Sequence, residues 1–324
     1  MGEVDFVEPI ITIVVCTYNR AQDLKVLLES AIAQSAAPDS YDILIVDNAS
    51  TDSTKKLAES YCAQYSNVYY AFEPMQGLSH ARNCGWRLAQ GTYVAYVDDD
   101  CKLPAGWISR GLDIIDELSP VMFGGVYLPF FRGNARPLWA KDEYWSSLPY
   151  LGEESRLLEP ERFLSGGNMV IHREALEKVG GFHPEYGMSG GVIGYGEENN
   201  FQSMLRKQIP GSPIYYDRDF YLYHLVPARK LTLQWKVKSQ LQHGKASFQL
   251  EHAGGGYVRW PVGKSLFLLT RNGLSILLLL TLGLLLRSRK SYPHAMNYLY
   301  EVVAGKLFTF GSRSMRVRDS LGLL

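Results

Sequence analysis

The segment "YVAYVDDDCK", residues 93–102, decides how the first half of the chain is interpreted, because an apolar run leads directly into Asp98, Asp99 and Asp100. The apolar run predicts a buried strand. Three ionised carboxylates at one strand end repel one another, and that cost is usually offset by a bound cation or by open water. Mg²⁺ and Mn²⁺ take oxygen ligands and are often shared with substrate phosphates. The segment therefore predicts either a divalent-cation site or a solvated acidic turn.

Three apolar segments before it repeat the same design: "PIITIVVCTYNR" at 9–20, "YDILIVDNASTDST" at 41–54 and "NVYYAFE" at 67–73. Helical spacing of apolar residues separates them. This alternation predicts an α/β domain with a mostly parallel sheet flanked by helices, in which ligands bind at the carboxyl ends of the strands. Several polar residues fall at such ends, namely Thr17, Asn19, Arg20, Asp47 and the three aspartates. We therefore expect their loops to face one crevice.

The pattern after residue 102 is less regular. "FLSGGNMVIHREALEKVGGF", residues 163–182, is typical of a glycine turn, a short strand and a helix that ends at a glycine pair. "GYGEENNF", residues 194–201, places Glu197 and Glu198 at the start of a helix. "SPIYYDRDFYLYHLVPARK", residues 212–230, predicts two separate aromatic strands.

Composition excludes several classes of function. The 33 Lys and Arg residues balance 33 Asp and Glu residues, so bulk charge gives no reason to expect nucleic-acid binding. The four cysteines form no CxxC pair, which argues against a zinc site or a disulfide framework and suits a reducing compartment. The N-terminal ten residues lack the basic and apolar regions of a secretory signal. We therefore expect the N-terminal part to be cytoplasmic.

The C-terminal part has a different character. Residues 265–286 carry one charge, Arg271, and a spanning helix needs roughly 20 apolar residues. A single span, a hairpin with residues 295–310 and an in-plane anchor all fit, because Lys and Arg lie on both flanks. We expect association with the cytoplasmic side of the cell membrane. The predicted domains are a catalytic domain at 1–225, a helical connector at 226–264 and a hydrophobic tail at 265–324.

Taken together, the motifs resemble family 2 glycosyltransferases, which are inverting enzymes of the GT-A fold. The matching segments follow the family order over residues 10–224: "VVCTYNR", "VDNASTDST", "GLSHARNCGWRLAQGTYVAYVDDD", "SGGNMVIHREALEKVGGF" and "GYGEENNF". The resemblance implies a Rossmann-like GT-A domain that binds a nucleotide sugar with Mn²⁺ or Mg²⁺. It also implies that Asp98 and Asp100 are the DxD pair, with Asp100 as direct metal ligand, and that His224 completes the metal or diphosphate site.

The resemblance further assigns the base and the donor site. Glu198 aligns with the general base and Glu197 with its acceptor-binding neighbour; the family's common Glu-Asp order is replaced by Glu-Glu, so either could be the base, and we favour Glu198. The expected nucleotide-sugar-binding residues are Thr17, Asn19, Arg20, Asp47, Arg82, Asp98, Asp99, Gly167, Asn168 and Arg229.

The leading hypothesis is an enzyme that moves a sugar from a nucleoside-diphosphate sugar to a glycan or lipid-linked acceptor, in cell-surface polysaccharide assembly. A sugar-phosphate nucleotidyltransferase needs a glycine-rich basic loop after the first strand, and "CTYNRAQD" has no glycine. An Asp-nucleophile phosphatase needs a Thr shortly after its Asp, which "DDDCK" lacks. A catalytically silent sugar- or nucleotide-binding module is the third alternative. Such a module needs no general base, so the Glu197–Glu198 pair argues against it.

Overall fold

The computed structural model describes residues 9–133, 136–189, 194–253 and 257–324. Its strands are β1 (Ile11–Thr17), β2 (Tyr41–Asp47), β3 (Val68–Phe72), β4 (Tyr93–Val97), β5 (Cys101–Lys102), β6 (Met122–Phe130), β7 (Arg156–Leu157), β8 (Asn168–His172) and β9 (Ile214–Leu225). Its α-helices are α1 (Ala21–Ile32), α2 (Thr54–Gln64), α3 (Leu78–Leu88), α4 (Trp107–Leu118), α5 (Leu148–Leu151), α6 (Arg173–Val179), α7 (Glu197–Gln208), α8 (Leu233–Ala253), α9 (Val262–Leu278), α10 (Ala295–Tyr298) and α11 (Ala304–Ser320).

These strands form one mixed sheet in the order β3-β2-β1-β4-β8-β6-β9-β5, with β7 paired to β9. Parallel pairing joins β1 to β2 and β4, β2 to β3, and β6 to β9. Strand β8 runs antiparallel between β4 and β6, and the short β5 and β7 run antiparallel to β9. The mostly parallel α/β sheet expected from the sequence is confirmed.

The sheet is covered on both faces, because its central strands are apolar on both sides. In β1, Ile13 and Val15 pack on one face, where α1, α2 and α4 supply the facing apolar side chains. Val14 packs on the other face, against α3, α6 and α7. This arrangement leaves the strand ends and their loops as the place where polar side chains can gather.

Strand β9 differs from the sequence prediction of two strands. It is continuous over 12 residues, and its pairing with β6 shifts register between Gly125 and Tyr127. Asp217 is fully buried at this irregularity, where it accepts the backbone N–H groups of Asp219 and Phe220 and pairs with Arg110 at 2.7 Å. The polar "DRD" triplet therefore forms a β-bulge inside one strand.

The chain divides into two compact units. The first comprises the described residues of 9–130, 145–189 and 197–225, and the second those of 131–144, 194–196 and 226–324. In the second unit, α8 and α11 approach closely at glycines: a Cβ on Gly311 would lie 2.3 Å from the Leu241 carbonyl oxygen. Helix α9 continues through a π-helical turn, Leu279–Gly283, to form a 22-residue helix, Val262–Gly283, that is long and apolar enough to cross a membrane.

Candidate active site

An acidic cluster lies where β4 ends. Asp98 and Asp100 each place a carboxylate oxygen, and His224 a ring nitrogen, such that all three atoms lie within 4.8 Å of one another. His224 is brought there by the pairing of β5 with β9, which sets Cys101 opposite it, and its Nε2 is 3.2 Å from Asp100 Oδ1. Two carboxylates and one imidazole form a donor set that fits Mn²⁺ or Mg²⁺, since both ions favour carboxylate oxygen.

The middle aspartate of the cluster is held by protein groups. Thr17 Oγ1 donates to Asp99 Oδ2 at 2.8 Å, and Arg20 Nη1 donates to Asp99 Oδ1 at 2.8 Å and to Asp100 Oδ2 at 3.3 Å. Burial, partly opposed by the charge of Arg20, raises the pKa of Asp99. Thr17 and Asp99, both expected from the sequence to bind the donor, thus use their side chains to connect β1 with the acidic cluster.

Arg82 on α3 joins the acidic cluster to the start of α7. Its guanidinium is buried, donates from Nη1 to Glu197 Oε1 at 2.9 Å, and donates from Nη2 to the Gly166 carbonyl at 3.1 Å. The same Nη2 lies 3.7 Å from Asp98 Oδ1. The sequence pointed to Arg82 as a donor-binding residue, but not to this bridge between two acidic groups.

The two glutamates at the start of α7 have different surroundings. Glu197 is buried and forms the ion pair with Arg82. Glu198 is half-buried, and its burial together with the negative charge of Glu197 raises the pKa of Glu198 to about 8. A carboxylate with a raised pKa accepts a proton more readily near neutral pH, which is the property that a general base needs.

The turn before β8 passes directly beneath these side chains. A Cβ on Gly167 would lie 2.3 Å from Asp98 Oδ2, and a Cβ on Gly166 would lie 2.5 Å from Arg82 Nη2. Only glycine leaves room for both acidic and basic groups at this turn.

Asn168, the next residue, has its side chain in the interior of the protein. Its side chain is fully buried, with Nδ2 donating to the carbonyls of Val126 and Phe220 and Oδ1 accepting from Trp107 Nε1. The side-chain amide is thus fully engaged within the protein, and a role of Asn168 in nucleotide-sugar binding stays a prediction. Its hydrogen bonds instead connect β8, β6, β9 and α4 beneath the site.

The remaining candidates lie in the loops after β1 and β2 and in the second unit. Asp47 accepts the backbone N–H of Ser50 at 2.9 Å and the hydroxyl of Tyr70 at 3.1 Å. Asn19, at a positive φ of 53°, accepts the N–H of Thr51 at 2.7 Å, so the two loops are joined. Arg229 belongs to the second unit, in a 3₁₀ turn (Ala228–Leu231). Its contact with a diphosphate stays a prediction.

Replacing Gly167 by Ala is expected to weaken Mn²⁺ binding by about 10–100-fold, because the added methyl group displaces the Asp98 carboxylate and such supporting changes typically have effects of this size. The measurement is an Mn²⁺ titration of the purified full chain. Gly106→Ala is the matched control, since no atom lies within 4 Å of its added Cβ. Equal Mn²⁺ affinity in the two variants would contradict the placement of Asp98 at the metal site.

Comparison with known proteins places these features in a family context. The model of "Glycosyl transferase family 2" matches residues 12–180, just over half of the chain. Glycosyltransferase AglE of Haloferax volcanii is 28% identical over 57% of this chain and 59% of its own length, so the chain spans less than two thirds of that relative. The succinoglycan biosynthesis protein ExoM of Rhizobium meliloti is 24% identical over 78% of this chain and 79% of its own.

Solved structures agree on the fold. Mannosyltransferase PcManGT from Pyrobaculum calidifontis, in complex with GDP-Man and Mn²⁺, is similar over 97% of this chain and 76% of that one, with a TM-score of 0.57 and 17% identity. TarS 1–349 of S. aureus, in complex with UDP-GlcNAc, covers 96% of this chain and 92% of that one, with a TM-score of 0.54 and 15% identity. At these identities the likeness concerns the fold, and the GT-A fold expected from the motifs is confirmed.

Proposed function

Because the chain belongs to glycosyltransferase family 2, we propose that it is an inverting, metal-dependent glycosyltransferase that uses Glu198 as its base. The donor is a nucleoside-diphosphate sugar and the acceptor is a hydroxyl group of a glycan or of a lipid-linked sugar. The product is part of a cell-surface polysaccharide or glycoconjugate. The succinoglycan biosynthesis relative supports this class of product.

The observation that carries the proposal is the Arg82 bridge between two sets of carboxylates. Asp98 and Asp100 can bind a divalent cation next to a diphosphate, and the same guanidinium pairs on its other side with Glu197, the residue before Glu198. A site that only binds a nucleotide sugar needs the first set and has no use for a second carboxylate with a raised pKa. A cation-binding pair and a pair that contains a general base, both in the first unit, are what a sugar-transfer reaction needs.

In the proposed reaction, the acceptor hydroxyl attacks the anomeric carbon of the donor sugar from the face opposite the leaving group. A bond forms between the acceptor oxygen and that carbon while the bond to the nucleoside diphosphate breaks. Glu198 takes the hydroxyl proton, and the nucleoside diphosphate leaves with the electron pair. Glu197, held by Arg82, fixes the start of α7 so that Glu198 keeps its position.

Asp98, Asp100 and His224 would hold the divalent cation, which supplies positive charge for the departing diphosphate. Arg20 balances the charge of Asp99 and Asp100 while the donor is absent. The loops after β1 and β2, with Asn19 and Asp47, are proposed to hold the nucleoside. Mn²⁺ in the PcManGT complex supports the assignment of the cation, although Mg²⁺ has the same ligand preference.

The proposal of a lipid-linked acceptor depends on attachment of the protein to a membrane. The 22-residue apolar helix that starts at Val262 is only 11% buried within the molecule over its most apolar window. We propose that this helix holds the enzyme at the cytoplasmic face of the cell membrane, where lipid-linked acceptors are presented. Arg229 lies in the segment between β9 and α8, from which a basic side chain is proposed to meet the diphosphate.

We expect kcat/KM to rise with pH up to about 8 and not to reach a plateau near pH 5, where an ordinary glutamate is already ionised. The sign follows from the role of Glu198: the base must be ionised, and burial beside Glu197 keeps it protonated until the pH approaches its raised pKa. The measurement is a pH profile of kcat/KM under saturating Mn²⁺. A flat profile between pH 5 and pH 8 would argue against Glu198 as the base.

The first test is a thermal-shift screen of the full chain against UDP, GDP, dTDP and CDP, each with and without Mn²⁺. Stabilisation follows the ratio of ligand concentration to Kd, so one nucleotide should raise the Tm only when Mn²⁺ is present. Asp100→Asn should remove that shift. No shift with any nucleotide, from a folded sample, would contradict the donor class and favour a silent module.

A further inference from the structure

Helix α9 has its buried polar residues on one side and exposed apolar residues on the other. Ser265 and Asn272 are buried, whereas apolar side chains on the other side of the helix are exposed in the described structure. The exposed fractions are 64% for Phe267, 62% for Leu274 and 59% for Leu277. A helix that faces water shows the reverse pattern, so this face is made for an apolar environment.

The sequence around this helix is strongly basic. Residues 252–324 contain ten Lys and Arg residues and only two acidic residues, Glu301 and Asp319, an excess of eight positive charges. Because the whole chain has a formal net charge of +0, residues 1–251 carry the opposite excess. Six of the basic residues lie between positions 252 and 300, where no acidic residue occurs: Arg259, Lys264, Arg271, Arg287, Arg289 and Lys290. This charge complements a surface of anionic lipid headgroups.

The partner of α9 limits how the helix can lie in a membrane. Asn272 Nδ2 donates to the Lys306 carbonyl at 2.9 Å, and Arg313 Nη1 donates to the Leu268 carbonyl at 3.1 Å. Helix α11, which makes these contacts, is charged along its length, with Lys306, Arg313, Arg316, Arg318 and Asp319. If α9 crossed the bilayer with α11 packed against it, these charges would enter the hydrocarbon, where charged side chains are costly and rare.

We infer that α9 lies in the plane of an anionic membrane surface and does not cross it. Its apolar face enters the boundary between headgroups and acyl chains, and the surrounding Lys and Arg side chains contact anionic headgroups. The inference rests on the membrane association proposed above, and it selects one of the three arrangements that the sequence leaves open. The hairpin of α9 with residues 295–310 meets a similar objection, because it would bury Glu301 and Lys306 in the hydrocarbon.

The orientation can be tested with one added cysteine at each end of the apolar helix. Gly263→Cys and Ser288→Cys are suitable because nothing lies within 4 Å of a Cβ on Gly263 and Ser288 is exposed. Sealed membrane vesicles from cells that produce the full chain are treated with a membrane-impermeant maleimide, with the unsubstituted chain giving the background from its four cysteines. The in-plane helix predicts equal labelling at both positions. If only one position is labelled in sealed vesicles, and the other becomes labelled once detergent opens them, the helix forms a span or a hairpin and the inference is wrong.

Lipid binding by the exposed face is tested separately with purified protein and sedimented vesicles. Leu277→Glu should weaken binding to mixed phosphatidylcholine–phosphatidylglycerol vesicles about tenfold, which corresponds to the loss of one buried leucine side chain. Leu118→Glu, the same change at an exposed leucine of α4, should leave binding unchanged. Vesicles of phosphatidylcholine alone should bind more weakly than the anionic mixture.

The outcomes separate this inference from the proposed function. If the chain binds neither kind of vesicle, membrane association itself fails. If it binds but Ser288→Cys is protected, only the in-plane arrangement fails. If Leu277→Glu leaves vesicle binding unchanged and instead converts a dimer to a monomer, the apolar face belongs to a second copy of the chain and the inference is wrong.

Discussion

Replacing Glu198 by Gln is expected to lower kcat for sugar transfer by about 10²–10⁴-fold, because an amide of the same size cannot accept the proton of the acceptor hydroxyl. The melting temperature and the Mn²⁺-dependent affinity for the nucleotide should change little. Burial raises the pKa of Glu198 to about 8, so this side chain is largely protonated at neutral pH, and a neutral amide is a close replacement. The measurement is kcat with the donor identified by the thermal-shift screen.

Glu197→Gln separates the two candidate bases. It removes the carboxylate that lies 2.9 Å from Arg82 and leaves Asp98, at 3.7 Å, as the remaining ion-pair partner of the buried guanidinium; breaking a buried ion pair in this way typically costs about 3–5 kcal/mol. This variant should therefore lose stability, whereas Glu198→Gln should lose activity alone. Glu174→Gln, an exposed acid on α6, is the control that should lose neither. Normal turnover by Glu198→Gln, beside a folded but inactive Glu197→Gln, would reverse the two roles.

Asp100→Asn is expected to reduce metal-dependent transfer by about 10³-fold, since several kcal/mol of charge stabilisation at the leaving diphosphate depend on the cation. The carboxylate also contacts His224 at 3.2 Å and Arg20 at 3.3 Å, so its neutralisation disturbs the two basic groups beside it. The readout is kcat/KM as a function of Mn²⁺ concentration.

Asp116→Asn, an exposed aspartate on α4, is the matched control for this substitution and should retain full activity. A chemically identical change far from the cluster shows whether loss of one acidic charge matters by itself. Metal-dependent transfer that survives in Asp100→Asn would remove Asp100 from the ligand set. The cation site would then need a different set of donors.

The part of the site that follows from local sequence was predictable. An apolar run that stops at a polar residue marks the end of a strand, and parallel strands end at the same edge of a sheet. For this reason Asp98, Asp100 and Asp47 could be placed at strand ends before the fold was known. The start of helix α7 at Glu197 was also predictable, because a glycine and an acidic pair precede an apolar helical pattern.

Side-chain contacts between residues far apart in the sequence were not predictable. Arg82 and Glu197 are 115 positions apart, and neither residue's neighbours indicate that they form an ion pair. An arginine among the small residues of "SHARNCG" was a weak sign that it faces inward. Nothing in the sequence near Asn168 indicated that its side-chain amide would lie in the interior, where three side-chain hydrogen bonds to distant residues satisfy it.

Strand β9 has a consequence for how the protein is made. Residues 214–225 are synthesised about 90 positions after β6, yet β9 fills the place between β6 and β5 and supplies His224. Until β9 emerges from the ribosome, β6 has an open edge, and Arg110 lacks Asp217. Sheet pairings that close over so long a stretch of chain form slowly. The nascent chain should therefore be a chaperone client up to the synthesis of β9, and prematurely terminated chains should aggregate.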